Sequence, residues 1–321
     1  MSWFFMSIVS VCIPTFNRKE LLAIAIDSVL QQTHQDFELI ICDDGSIDGT
    51  SDMMARLHDR RIHYIRHPQN IGKSNNMISG FKAATGKYFI KFDDDDRLTP
   101  SFLEKTSQLL DKNPQIDFVG TDHWVIDSNN VRNESLTQLN SQKWGRSDLL
   151  QGMVENLIEV TFVKQSFQIG ATLFRRKVLD EVGYMRSNIQ NCEDNDLLVR
   201  LALAGKQAYY LPERLMEYRV HAEQQGLDRA IPYLKDKLNY LESFHFESEK
   251  IEKVRRDRLL ETKLLLGLRL IQIGDTQAGR NLINQGKLAS PNKARVGLAL
   301  SRLPMSLRQK AFTLLKQIKA S

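Results

Sequence analysis

The sequence predicts an α/β protein: a mixed, mainly parallel sheet flanked by helices, followed by an all-helical C-terminal extension. Three observations carry this expectation. Over the first 100 residues, continuous apolar runs alternate with segments of helical periodicity, the pattern of strand–helix repeats that build a sheet covered on both faces. Polar or acidic residues close three of those runs. From about residue 229 onward the periodicity is helical throughout. The expected domains are therefore residues 1–228 and a basic helical region, 229–321.

In chain order, "SIVSVCIPTF" is a β-rich run ended by Pro14, and "RKELLAIAIDSVLQQT" places Leu21, Leu22, Ile26, Val29 and Leu30 at helical spacing. "DFELIICDD" is a second strand, "SDMMARLHD" a helix and "RIHYIRH" a third strand. "SNNMISGFKAAT" reads as a helix closing on Gly86, and "KYFIKF" is a fourth strand that delivers Asp93, Asp94, Asp95 and Asp96. Past residue 115 the pattern loosens. "DFVGTDHWVID" and "IGATLFRRKVL" read as strands, the second running into a helix. Next come an acidic loop, a helix through Leu197, Leu198, Leu201 and Leu203, Gly205 as its stop, and a strand pair.

At 321 residues, 42% hydrophobic and 26% charged, the composition is that of an ordinary soluble globular chain. No apolar run approaches the ~18 residues of a membrane span, and the greasy start lacks the basic flank of a signal peptide. Three scattered cysteines exclude a zinc cage or disulfide framework. Cys12 and Cys42 sit inside apolar runs as core thiols, and a reducing, cytoplasmic setting is expected. The net charge of +5 hides an asymmetry: residues 1–230 carry −5 and residues 231–321 carry +10.

Four adjacent carboxylates repel one another and call for compensation. In an extended segment Asp93 and Asp95 point to one side, roughly 6–7 Å apart, and Asp94 to the other. Two such acids can hold Mg²⁺ or Mn²⁺, which completes its shell with water and phosphate oxygens. A solvated acidic turn is the plain alternative. Ligands of parallel sheets bind beyond the strands' carboxyl ends, and Thr15–Asn17, Asp43–Asp44 and Asp93–Asp96 all fall there. Asp43 and Asp44 can accept hydrogen bonds from a ligand or cap the following turn, and for Asp48 capping is the expected role. "IDGT" lacks the preceding Asp of a phosphatase nucleophile, since residue 46 is Ser. Glu193, Asp194 and Asp196 either cap a helix or supply a general base. His221 stands alone after a strand, where histidine is more often structural than a ligand.

With these pieces in order, the chain resembles the family 2 glycosyltransferases of GT-A fold. The resemblance rests on seven ordered stretches between about residues 7 and 225: "VSVCIPTFNR", "QDFELIICDDGSIDGT", "NIGKS", "GKYFIKFDDDDRLTP", "IGATLFRRKVLDEVGYM", "NCEDNDLLVRLALAG" and "EYRVHAE". It implies inverting transfer of a sugar from a nucleotide diphosphate donor. Pro14, Thr15, Phe16 and Asn17 match the family's turn at the nucleotide. Asp44 matches the acid that faces the base, with Asp43 beside it. Asp93 and Asp95 match the metal-binding acids, Asp95 being the direct ligand, and Asp94 lies near the ribose or donor sugar. Glu193-Asp194 matches the catalytic-base motif, with Asp194 as the base, and His221 a histidine near metal and diphosphate. One departure concerns the nucleotide: where many members carry Arg and Asn after Asn-x-Gly, this chain has Met77 and Ile78. Lys73 is then the expected compensation, and UDP the default nucleotide.

The resemblance thus implies a nucleotide-sugar donor, Mn²⁺ or Mg²⁺, and a saccharide or lipid-linked acceptor, as in bacterial surface polysaccharide or lipopolysaccharide synthesis. A catalytically silent sugar-nucleotide-binding or scaffold protein of the same fold is the alternative, which loss of Asp95 or Asp194 would have favoured. The basic tail suits peripheral attachment to the inner face of a membrane, a homo-oligomer interface, or a helical cap with a solvated face. Nucleic acid is not expected, because no aromatic-interleaved basic motif is present.

Overall fold

The computed structural model describes residues 9–220 and 227–320. The chain divides into two compact units, residues 1–221 and 222–321. His221, expected near the metal, lies outside the described residues.

A nine-stranded mixed sheet organises the first unit. Its opening half runs β1 (Val9–Thr15), α1 (Lys19–Leu30), β2 (Phe37–Asp43), α2 (Thr50–Ala55), β3 (Ile62–Arg66), α3 (Lys73–Ala83) and β4 (Tyr88–Lys91). β1 and β2 are buried at every position, as central parallel strands covered on both faces must be. β1 pairs in parallel with β2 and with β4, and β2 with β3. The ends of β1, β2 and β4 therefore share one rim.

The second half contains β5 (Arg97–Leu98), α4 (Phe102–Lys112), β6 (Phe118–Ile126), α5 (Glu134–Lys143), β7 (Gly152–Met153), β8 (Thr172–Arg175), α6 (Arg176–Val182), α7 (Glu193–Leu203) and β9 (Ala208–Arg219). The strand order is β3-β2-β1-β4-β8-β6-β9-β5, with β7 on β9. β8 is antiparallel to both β4 and β6, so β6 and its parallel partner β9 run the same way as β4. The expected strand pair after Gly205 is instead this single strand, β9. Pro212, which has no N–H to give a ladder, sits where the β6–β9 register shifts between Thr121 and His123. Proline there makes an irregularity and not a turn.

Helices cover both faces. Leu22, Ile26 and Val29 of α1 and Phe102, Leu103 and Leu110 of α4 join Val11, Ile13, Leu39 and Ile41 in one core. Met77 and Phe81 of α3, Val178 and Leu179 of α6 and Leu197, Leu198 and Leu201 of α7 meet Cys12, Ile40, Phe89 and Phe174 in the other. α3 meets the sheet closely at Gly80, where a Cβ would collide with the sulfurs of Cys12 and Cys42. Both thiols are free and buried, as expected of core cysteines.

α5 docks through hydroxyls, Thr137 and Ser141, and not through an apolar stripe. Beneath it, His123 is buried with Nε2 between Asn140 Oδ1 (3.2 Å) and an Arg146 guanidinium nitrogen (3.3 Å). Burial, and then the Arg146 charge, pull its pKa down to about 3. The unfolded imidazole titrates near ~6.5. Between those values the unfolded chain binds a proton that the folded chain refuses, so stability falls as pH drops, by up to ~1.4 kcal/mol per pH unit. His123→Gln is expected to flatten the pH 4–6.5 dependence of urea-unfolding free energy by about one proton. An unchanged slope would contradict a buried neutral His123.

The second unit contains α8 (Leu227–Glu242), α9 (Glu249–Ile273), α10 (Thr276–Gly286), α11 (Pro291–Leu300) and α12 (Met305–Ala320). α9 is its axis. Gly267 of α9 and Gly279 of α10 let the two backbones touch, since a Cβ on either would press on the other's carbonyl oxygen at 2.7 Å. Leu264, Ile271, Ile283 and Ala294 form its main core. Among the described residues, no helix is long and apolar enough to cross a membrane.

Candidate active site

The first turn of the rim follows β1. Pro14 and Thr15 end the strand in buried positions, Phe16 is exposed, and Asn17 adopts a left-handed φ of 53°, a conformation that asparagine tolerates better than most residues. Asn17 donates its N–H to Ser46 Oγ (2.9 Å) and accepts from Ile47 N–H through Oδ1 (2.8 Å). The turns after β1 and β2 are thereby stitched together.

Asp43 and Asp44 are buried and committed to the protein's own backbone and side chains. Asp43 accepts from Ser46 N–H (2.8 Å) and Tyr64 O–H. Asp44 accepts from Ile71 N–H (2.7 Å) and Gly72 N–H (3.1 Å), which fixes the loop leading into α3. Asp48 takes the capping role, accepting from Lys19 N–H and from the N–H and hydroxyl of Thr50.

After β4 the acidic run alternates. Asp94 and Asp96 are buried, whereas Asp93 and Asp95 keep side-chain exposures of 24% and 14%. Arg18 reaches Asp94 Oδ1 at 3.1 Å and Asp95 Oδ2 at 2.8 Å. Asp96 Oδ1 accepts from Arg219 N–H (2.9 Å), and the fully buried Arg219 guanidinium holds the carbonyl oxygens of Asp95 and Asp127 and the side chain of Asn130. Burial pushes the Asp94 carboxyl up to about 6, with Asp95 adding and Arg18 opposing. Burial, then Asp95 and Asp93, raise Asp96 well above the usual carboxylate range. Asp93 feels desolvation too, but Lys91 and Lys73 hold it well below that range. The four acids coexist because Arg18, Arg219, Lys91 and Lys73 all face them.

Two of those cations lead to α7. Lys73, at the start of α3, reaches Glu193 Oε1 at 2.8 Å and Asp93 Oδ1 at 3.9 Å. Desolvation works against its charge, yet Glu193, Asp93 and Asp194 raise its pKa well above the ordinary lysine value. Lys91 sits 3.0 Å from Asp93 Oδ1 and 3.1 Å from Asp194 Oδ2. Asp194 Oδ1 is buried without a hydrogen-bond partner. Asp196 is structural, gripped by Arg186 and Arg200. Ser74 N–H donates to Gln190 Oε1 (2.9 Å), tying α3 to the loop before α7.

Lys73, Asp93, Asp94, Asp95, Glu193 and Asp194 are therefore gathered, whereas Asp43 and Asp44 support the rim from behind. Lys91, Arg18 and Arg219 were not foreseen. Lys91 left a signal, a charged residue inside the apolar run "KYFIKF". Arg219 left none, because its partners lie 89 to 124 residues away in sequence.

Among the described residues, no group of three or more His, Cys, Asp or Glu side chains is gathered for a metal. Mg²⁺ and Mn²⁺ need fewer, since one or two carboxylates suffice when substrate phosphates complete the shell. The extended segment expected here is instead a turn at Asp94–Asp95, closed by Asp96 N–H on the Asp93 carbonyl (3.4 Å). Asp93 and Asp95 are partly exposed hard oxygen donors, the type such an ion takes.

Sheet order and rim together define the GT-A architecture. The chain belongs to Glycosyl transferase family 2, whose profile matches residues 10–183. An uncharacterized glycosyltransferase of Haemophilus influenzae is 27% identical over 220 residues, 68% of this chain and 67% of its own. The Escherichia coli UDP-Glc:alpha-D-GlcNAc-diphosphoundecaprenol beta-1,3-glucosyltransferase WfgD is 29% identical over 124 residues, 39% of this chain, and the match spans about half of WfgD (49%). Residues 1–349 of S. aureus TarS, in complex with UDP-GlcNAc, superpose with a TM-score of 0.61 at 15% identity, covering 95% of this chain and 91% of that one. The Pyrobaculum calidifontis mannosyltransferase PcManGT, with GDP-Man and Mn²⁺, gives 0.58 at 15% identity, covering 96% and 86%.

Proposed function

We propose that the chain is an inverting glycosyltransferase that moves a sugar from a UDP-sugar to a hydroxyl of a saccharide or lipid-linked acceptor in bacterial surface polysaccharide or lipopolysaccharide synthesis. The observation that carries this reading is Asp194, a carboxylate 31% exposed and held by Lys91, the lysine that also meets Asp93. That carboxylate takes the acceptor hydroxyl's proton. The acceptor oxygen bonds to the anomeric carbon as the bond to the diphosphate breaks, and the diphosphate leaves with the electron pair. A single displacement of this kind inverts the centre. Lys73 and Arg18 hold positive charge where the diphosphate's negative charge grows.

Mn²⁺ or Mg²⁺ bound by Asp93 and Asp95 supplies further neutralisation of the leaving group. The Mn²⁺ complex of PcManGT and the UDP-GlcNAc complex of TarS support a divalent cation and a nucleotide donor. The GlcNAc-diphosphoundecaprenol in WfgD's name supports a lipid-linked substrate. Such an acceptor places the enzyme at the cytoplasmic face of a membrane, with the basic C-terminal helices on anionic lipid. A homo-oligomer interface is the other use of that surface.

Calorimetric titration with UDP, GDP and dTDP, with and without Mn²⁺, tests the reading. One nucleotide, UDP, is expected to bind with Mn²⁺ and at least ~10-fold more weakly without it. Absence of metal-dependent binding for all three would sink the platform at Asp93 and Asp95.

A further inference from the structure

Lys91 is the anomaly of the central sheet. β4 alternates between the two cores, with Tyr88, Ile90 and Phe92 on one side and Phe89 on the other, so Lys91 follows Phe89 onto the face that carries α3 and α7. It pairs in register with Cys12 of β1 and is 1% exposed. An ammonium is costly there unless carboxylates surround it. Those around it form a chain of alternating charge: Glu193, Lys73, Asp93, Lys91, Asp194, with contacts of 2.8, 3.9, 3.0 and 3.1 Å. It joins three elements, α3, β4 and α7, and ends on the unpartnered Asp194 Oδ1.

Charge balance explains part of this lysine, since removing one partner of a buried pair leaves the others uncompensated, and Lys91 faces both Asp93 and Asp194. Lys91 also holds Asp194 Oδ2 at 3.1 Å and so restrains how the carboxylate turns.

We infer that Lys91 is a positioning residue for the Asp194 base, holding its Oδ2 and with it the orientation of the carboxylate, and coupling the base to Asp93 on the nucleotide side. The inference rests on the proposed role of Asp194. Lys91 touches neither the reacting atoms nor the acceptor; it acts through Asp194.

The test uses the full chain, with UDP-sugar and acceptor turnover and separate calorimetric binding of UDP in Mn²⁺. Lys91→Met is expected to lower kcat by about 100-fold, within the range a correctly placed base supplies, while UDP affinity and donor KM change less than about threefold. Its melting temperature is expected to fall, because Asp93 and Asp194 lose this cation, so turnover is measured below the transition and per folded protein. Lys91→Gln, which keeps a donor toward Asp194 Oδ2, should retain more activity than Lys91→Met. The double variant Lys91→Met/Asp194→Asn should be no slower than Asp194→Asn alone, because one residue works through the other.

Multiplying penalties in the double variant would overturn the inference. So would weakened UDP binding with kcat unchanged, which places Lys91 on the diphosphate through Asp93. If Lys91→Met does not fold, the order of activities and additivity are read from Lys91→Gln. Full activity of Asp194→Asn would instead remove the base reading itself, and the inference with it.

Discussion

Asp194→Asn is expected to lower kcat by about 10³-fold while UDP binding in Mn²⁺ stays within about threefold of wild type. The substitution is nearly isosteric, so the cost isolates proton acceptance. Asn can keep its amide oxygen on the Lys91 ammonium, which holds the side chain at 3.1 Å in the native protein. The side chain then carries an NH₂ group in place of its second oxygen and is no longer a carboxylate that can take the acceptor's proton. Packing should survive: Glu193 remains on Lys73, and Asp196 remains between Arg186 and Arg200. A melting temperature near that of wild type, together with the loss of transfer, would separate chemistry from folding. If the loss appeared in donor KM and not in kcat, Asp194 would be a nucleotide ligand and the base would have to be sought elsewhere. Glu193 would be a poor substitute, being 2% exposed and salt-bridged to Lys73.

The sheet and its rim were legible because burial writes itself into sequence as continuous apolar runs. β1, β2 and β4 are buried at every position, and each stood out as such a run. Their parallel pairing follows from the helices between them, and parallel pairing carries their ends to one rim. The later elements were harder for identifiable reasons. α5 buries Thr137 and Ser141, so no apolar period marks it. β9 continues through Pro212 because β6 accommodates the register shift, a tertiary fact that no local pattern records.

The acidic cluster was legible as a site but only partly as a set of roles. A run of four acids announces a need for positive charge without saying where it comes from. Arg18, Lys73 and Lys91 supply it from a turn, a helix and a strand, 76, 20 and 2 residues away from the acids they meet, and only folding brings the first two in. Asp43 and Asp44 pose the opposite question. Their position at a strand end pointed to a ligand or a turn cap, and their oxygens accept from Ser46, Tyr64, Ile71 and Gly72. A strand-end carboxylate can shape a nucleotide site by fixing the loops around it, and sequence position alone does not separate that from direct contact.

The second large effect is expected at Asp95. Asp95→Ala should weaken UDP binding in Mn²⁺ by about 100-fold or more, as loss of one of two carboxylates from a minimal divalent site implies. Without metal, the same substitution should change UDP affinity by less than about threefold. The two conditions separate two jobs of this carboxylate. In the metal-free protein Asp95 lies beside Asp94 and Asp96, whose carboxyls burial raises above the ordinary range with Asp95 adding. Removing it relieves that repulsion and leaves Arg18 on Asp94 at 3.1 Å. Fold stability should therefore hold, since a partly exposed ion pair at 2.8 Å contributes little net. The metal has no such reserve: with Asp95 gone, Asp93 alone would face it, already engaged by Lys91 and Lys73. Calorimetry with Mn²⁺, with UDP, and with both reads the difference directly. Equal weakening with and without Mn²⁺ would mean that Asp95 contacts the nucleotide itself, and the divalent ion would then have no assigned place on this rim.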